Sequence, residues 1–156
     1  LSIRRQRQMC IRDSYSGATV SYSGYNDEDY ADRSFITRVP RLGNPDIILI
    51  FGGINDNWAN TPIGEYKYED FKRADLYTYR PALAKLIELA QEHYPNVTLY
   101  FIISDDLKTE IVESTKVVCE HYGIKYVQLQ GIEKESGHPT VKGMETIANQ
   151  VLTLIK

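Results

Sequence analysis

Three stretches of this chain bring together residues that could do chemistry. The first is Gly52-Gly53-Ile54-Asn55-Asp56, directly after the apolar run Ile47 to Phe51. A glycine pair at the end of a buried strand lets the backbone turn sharply and approach a ligand, and Asn55 and Asp56 are then polar groups delivered to that turn. The second is Glu135-Ser136-Gly137-His138-Pro139. Of the three histidines, His93 and His121 fall in the last turns of expected helices, where positive charge suits the helix dipole. Only His138 sits in a loop ahead of a helix, where Pro139 restricts its backbone. The third is Ser14 to Gly17, which taken alone reads as an ordinary Ser/Gly turn.

The elements that must hold these residues follow from periodicity. Ile47 to Phe51 is apolar without alternation, the pattern of a strand covered on both faces of a parallel sheet. Asn57 to Asp75 has no sustained period and reads as a long loop beside the site, with Trp58, Tyr66 and Tyr68 as candidates for a substrate wall. Tyr79, Leu83, Leu86, Ile87, Ala90 and Tyr94 share one helical face, and Pro95 ends that helix. Val97 to Ile103 is the next strand, followed by Ser104, Asp105 and Asp106 as helix-capping residues. A further helical stripe runs from Leu107 to Tyr122 and ends at Gly123. Lys125 to Leu129 reads as a more polar edge strand. A last helix starts near Thr140, with Met144, Ile147, Ala148, Val151 and Leu154 expected to face the sheet. Strands alternating with helices predict parallel pairing and a three-layer α/β/α sandwich.

At 156 residues the chain is expected to form a single domain with a real core. Residues 1–13, LSIRRQRQMCIRD, lack any period and are expected to be a non-native leader, leaving 14–156 as the domain. Setting aside the arginines of that leader, the body is acidic, which argues against nucleic acid as a partner. No run is long enough for a membrane span and no signal peptide is visible, and the sequence leaves both compartment and oligomeric state unassigned. Cys10 and Cys119 suggest neither a disulfide nor a metal pair, and no metal or cofactor motif is present. Twelve tyrosines could line a sugar-binding surface or simply pack with their hydroxyls outward.

Gly53-Ile54-Asn55-Asp56 resembles the Gly-x-Asn-Asp block of the SGNH (GDSL-type) hydrolases. Glu135-Ser136-Gly137-His138-Pro139 looks like that family's last block, an acidic residue, two others, then His-Pro ahead of the final helix. Ser16-Gly17 resembles the second block. The resemblance implies a serine esterase or lipase acting on carboxylic esters, with a carbohydrate or other small-molecule ester as substrate and no cofactor. It implies a flavodoxin-like sheet of about five strands, whose first strand, the one ending in Gly-Asp-Ser, has no counterpart here, so the chain is expected to be truncated at its start. By the same resemblance His138 is the base, and Asn55 through its side chain and Gly17 through its backbone N–H are oxyanion donors. Glu135 orients the base, with Glu133 or a backbone carbonyl as substitutes; Gly53, Trp58 and Tyr66 are assigned to substrate binding. Asp13-Ser14 copies the Asp-Ser of the first block, but no buried strand precedes it and Gly17 follows too closely. The nucleophile is therefore expected upstream, and this chain is expected to be inactive alone.

Two alternatives remain open on the sequence. One is a non-catalytic glycan-binding relative that keeps the pocket without the serine. The other is a flavodoxin-like nucleotide or phosphate binder, against which stand the missing Gly-x-Gly-x-x-Gly spacing and the absence of an expected helix directly after Gly53.

Overall fold

The computed structural model describes residues 17–155. Strands β1 (Ile47–Phe51), β2 (Thr98–Ile103) and β3 (Lys125–Gln128) form a parallel sheet in the order β1-β2-β3, as the alternation of elements predicts. Register pairs Ile47 with Thr98 and Tyr100 with Lys125. Helices α1 (Phe35–Arg38), α2 (Ile54–Trp58), α3 (Tyr79–His93), α4 (Thr109–His121) and α5 (Val141–Ile155) complete the frame.

The alternation of side chains along β2 sorts the core into two layers. Leu99, Phe101 and Ile103 join Ile48 and Ile50 in the cluster under α3 and α4. Ile102 points the other way, to Ile147 and Val151 of α5. Helices therefore cover both faces, the three-layer arrangement expected of the sequence.

Several local expectations are corrected. β1 is buried on one face only: Ile48 and Ile50 are inside, whereas Ile47 and Leu49 are each 46% exposed. An apolar run cannot report which of its two faces finds a partner. A helix does start directly after Gly53, because Gly53 takes φ +89° and turns the chain straight into α2. A Cβ there would stand 2.7 Å from the Tyr79 hydroxyl oxygen, so the position requires glycine on two counts. On α5, Ile147 and Val151 are buried but Met144 and Ala148 face outward. Ser104, Asp105 and Asp106 do not cap α4; that helix begins after Lys108, and the three side chains are engaged elsewhere.

The stretch read as a loop around His138 is a hairpin. β4 (Lys134–Glu135) and β5 (His138–Pro139) pair antiparallel, Glu135 opposite His138. Ser136 at φ +50° and Gly137 at φ +80° make the tight two-residue turn, a geometry whose twist matches antiparallel strands.

Candidate active site

The carboxyl ends of β1 and β2, the start of α2, the 134–139 hairpin and the segment from Gly17 enclose one cleft of about 550 Å³. Asn55, Gly17, Gly53, Trp58 and His138 all line it. Residues separated by more than a hundred positions are thus brought together at the end of the sheet where ligands of open α/β folds bind.

Asn55 and Asp56 tie the Gly17 segment to the start of α2. Asn55 Nδ2 donates to the Ala18 carbonyl at 2.7 Å. The Asp56 carboxylate accepts from Val20 N–H at 2.7 Å and Ser21 N–H at 3.0 Å. Asp56 is wholly buried; burial raises its pKa above the ordinary carboxylate value, while the backbone N–H groups of Ser21 and Val20 pull the other way. Asp56 is a brace for the cleft wall and does not line it.

Asn55 Oδ1 accepts from the Tyr25 hydroxyl at 2.7 Å. A backbone carbonyl only accepts, so Nδ2 must face Ala18 and Oδ1 must face Tyr25. One Nδ2–H is left over for a ligand. The Gly17 N–H has no acceptor among the described residues. N–H donors of this kind suit a developing negative charge.

His138 is exposed at the rim and shared between this cleft and a shallower depression that Glu135 also lines. Glu135 and His138 are directly opposed in the antiparallel pair and so share a face, with no Glu135 oxygen within 4.0 Å of a His138 ring nitrogen. Among the described residues neither side chain has a hydrogen bond partner. Glu133, the substitute orienter, is engaged: its carboxylate accepts from Thr140 Oγ1 at 2.6 Å and lies 3.5 Å from Lys142 Nζ. Trp58 leans on the hairpin turn, its ring atoms 2.8 Å from where a Cβ on Gly137 would stand.

Lys134 anchors the hairpin and was not singled out by the sequence. Its ammonium contacts Asp105 at 2.6 Å, Asp106 at 2.8 Å and Ser104 Oγ at 3.2 Å. Burial opposes the charge on Lys134, yet the two carboxylates outweigh it and hold its pKa above the ordinary lysine value. Burial likewise opposes ionisation of Asp105 and Asp106, and Lys134 outweighs it there too, leaving both below the ordinary aspartate value. Ser104 faces the cleft, but its hydroxyl is buried and donates to Asp106 at 2.7 Å. Lys134 is protonated and the Asp106 carboxylate that accepts from Ser104 is held below the ordinary aspartate value, too weak a base to activate it, so Ser104 is not set up as a nucleophile.

Two of the residues expected at the substrate wall, Tyr66 and Tyr68, fall elsewhere. Tyr66, expected at the substrate wall, does not line the cleft. It stacks with Tyr68 at 6.4 Å beneath Arg80, and Tyr68 stacks in turn on His121 at 3.6 Å, a ladder that pins the 61–72 loop across the ends of α3 and α4. Ser14 lies outside the described residues, as do Cys10 and the leader. Cys119 is buried, with its thiol pushed up to about 12 by burial. Among the described residues, no group of three or more His, Cys, Asp or Glu could hold a metal ion, and no helix is long and apolar enough to cross a membrane.

The fold has close counterparts. The structure of a protein from Bacteroides ovatus described as a GDSL-like lipase superposes with a TM-score of 0.89 at 51% identity, covering 91% of this chain and 69% of that one. A protein from Bacteroides uniformis described in the same way gives 0.89 at 48%, covering 90% and 66%. The chain thus spans about two-thirds of the length of these relatives. A family two carbohydrate esterase from Clostridium thermocellum shares the fold at 16% identity, with a TM-score of 0.64 over 90% of this chain and 47% of that one. No curated protein matches the sequence. The family model described as GDSL-like lipase/acylhydrolase matches residues 2–155, and with the shared fold this shows that the chain belongs to the GDSL-like lipase/acylhydrolase family.

Proposed function

We propose that this chain supplies the base and the oxyanion donors of a serine ester hydrolase that removes acyl groups from a carbohydrate or other small ester. The observation that carries the reading is the convergence of Asn55, Gly17 and His138 on one cleft. In this reading His138 takes the proton of a serine Oγ as it attacks the ester carbonyl, and Glu135 holds the ring. The carbonyl oxygen, now negative, receives the free Asn55 Nδ2–H and the Gly17 N–H, each donor contributing on the order of 3 kcal/mol to the barrier. Collapse expels the alcohol with the proton from His138, and water attacks the acyl group by the same path. The carbohydrate preference is supported by the shared fold of the Clostridium thermocellum esterase and by the mixed polar and aromatic lining around Tyr25 and Trp58.

Among the described residues the one serine that lines the cleft, Ser104, is engaged with Asp106, and Ser136 lines only the shallower depression beside His138. The nucleophile is assigned to a segment outside the described residues, and Ser14 is not that residue. Purified alone, the chain should show no turnover of an aryl acetate; turnover lost in Ser14→Ala would place the nucleophile at Ser14. A chimera joining residues 15–156 to the part of the Bacteroides ovatus protein that this chain does not span should hydrolyse the same ester. Its activity should vanish in His138→Ala and persist in His121→Ala. A folded but inert chimera that still binds acetylated oligosaccharide would favour the glycan-binding alternative, and an essential His121 would overturn the assignment of the base.

A further inference from the structure

The loop that precedes α1 is built to place one side chain in the cleft. Ser23 bridges Asp29, Gly24 N–H donates to the Glu28 carbonyl at 2.8 Å, and Glu28 N–H donates to the Tyr25 carbonyl at 3.1 Å. Asn26 at φ +54° and Asp27 at φ +60° make the reversal, and Asn and Asp are the side-chain-bearing residues that best tolerate it. The base of the loop is fixed by Tyr22 N–H on the Leu76 carbonyl at 2.8 Å and Ser23 Oγ on the Tyr77 carbonyl at 2.7 Å. At its tip Tyr25 packs edge-to-face on Tyr30, with ring centroids 6.3 Å apart. Its ring also lies over Gly17, where a Cβ would meet Tyr25 Cε2 at 3.7 Å.

We infer that Tyr25 is the positioning residue of the oxyanion site: its hydroxyl donates to Asn55 Oδ1, and this bond, with the one from Nδ2 to Ala18, holds the Asn55 amide so that the remaining N–H points into the cleft. The inference rests on the proposed role of Asn55. Two hydrogen bonds at opposite ends of a planar amide fix both its rotamer and the tilt of its plane, whereas one alone leaves the plane free to swing about that bond. The Tyr25 ring meanwhile packs beside Gly17, the second donor, and lines the same cleft. An acyl oxygen entering the cleft then meets a donor already aimed, with no reorganisation at the moment of reaction.

The test uses the 156-residue chain and acetate, the carboxylate that deacetylation would release, as an oxyanion-bearing probe. Acetate is titrated into 15N-labelled protein while the Asn55 side-chain amide resonances are followed. In the unaltered chain acetate should shift the Asn55 Nδ2 signals, and Asn55→Ala should weaken its binding. Tyr25→Phe keeps the ring and its packing and loses only the hydroxyl; acetate affinity should fall roughly fivefold, the equivalent of about one net hydrogen bond, and the two Nδ2 protons should broaden or converge. Tyr30→Phe, in the same loop but without contact to Asn55, should leave both readouts unchanged. If Tyr25→Phe lowers only the melting temperature and leaves acetate affinity and the Asn55 signals as they were, Tyr25 merely pins its loop and the inference is overturned. If acetate fails to shift Asn55 in the unaltered chain, or Asn55→Ala binds it equally well, the oxyanion reading falls and the inference with it.

Discussion

Asp56 is wholly buried, and both of its oxygens are committed to backbone N–H groups of Val20 and Ser21. Truncating it leaves two donors without partners in a closed space, so Asp56→Ala should lower stability by roughly 2–4 kcal/mol, read from urea midpoints. Asp56→Asn should also destabilise, because its amide turns a donor toward one of those N–H groups; a neutral outcome for both would show that Asp56 does not brace the cleft. Cys119 allows a simpler check. In a Cys10→Ser background its buried thiol, pushed up to about 12, should react with Ellman's reagent only after denaturant is added. At this scale the place of Asn55 in the cleft was legible because it follows the Gly52-Gly53 turn at the end of the Ile47 to Phe51 run, and that of His138 because Glu135 to Pro139 resembles the family's last block. Tyr25 was not: nothing distinguishes it from the other tyrosines of its loop until the reversal at Asn26 and Asp27 is seen.

The 134–139 hairpin carries the proposed base, and Lys134 is what fastens it to the carboxyl end of β2. Asp105 and Asp106 have folded-state pKa values below the ordinary one, with Lys134 as the favourable partner. Carboxylates of this kind stabilise the fold above their unfolded pKa of about 3.9 and lose that contribution as pH falls through the lower folded value. Lys134→Met should therefore reduce stability by about 1–2 kcal/mol at neutral pH, a modest figure because Asp106 is 40% exposed. The melting temperatures of the two proteins should converge as pH falls from the unfolded carboxylate value through the lower folded one. A difference that persists undiminished in acid would mean that Lys134 acts through packing. The hairpin was invisible to periodicity because Lys-Glu-Ser-Gly-His-Pro has no apolar alternation; its order comes from two positive-φ residues, from Trp58 against Gly137 and from the ion pairs. Ser104, Asp105 and Asp106 were misread for a related reason. Capping residues and ion-pair partners are the same residue types, and only the position of Lys134 separates the two uses.

Alternating strands and helices made the three-layer fold legible, since each βαβ step dictates parallel pairing and coverage of both faces. What the pattern could not convey is how completely each face is covered. Among the described residues β1 pairs with β2 on one side only. Its outward face leaves Ile47 and Leu49 half exposed, and an apolar groove of about 230 Å³ runs beside Leu49 between Phe35, Val39 and Leu42. An open edge next to exposed apolar side chains is a template for pairing with another chain. The isolated chain should therefore self-associate, its weight-average mass in sedimentation velocity rising with concentration. Leu49→Lys places a charge on that face without touching the buried set of Ile48 and Ile50. It should restore a monomer across the same concentrations with a stability change below about 1 kcal/mol, because half of the Leu49 side chain already contacts water. Ile48→Lys, one residue away and facing the core, should instead unfold the protein. If the unaltered chain stays monomeric, or if Leu49→Lys is as damaging as Ile48→Lys, that face of β1 is already covered and the half-exposure of Leu49 does not describe the molecule in solution.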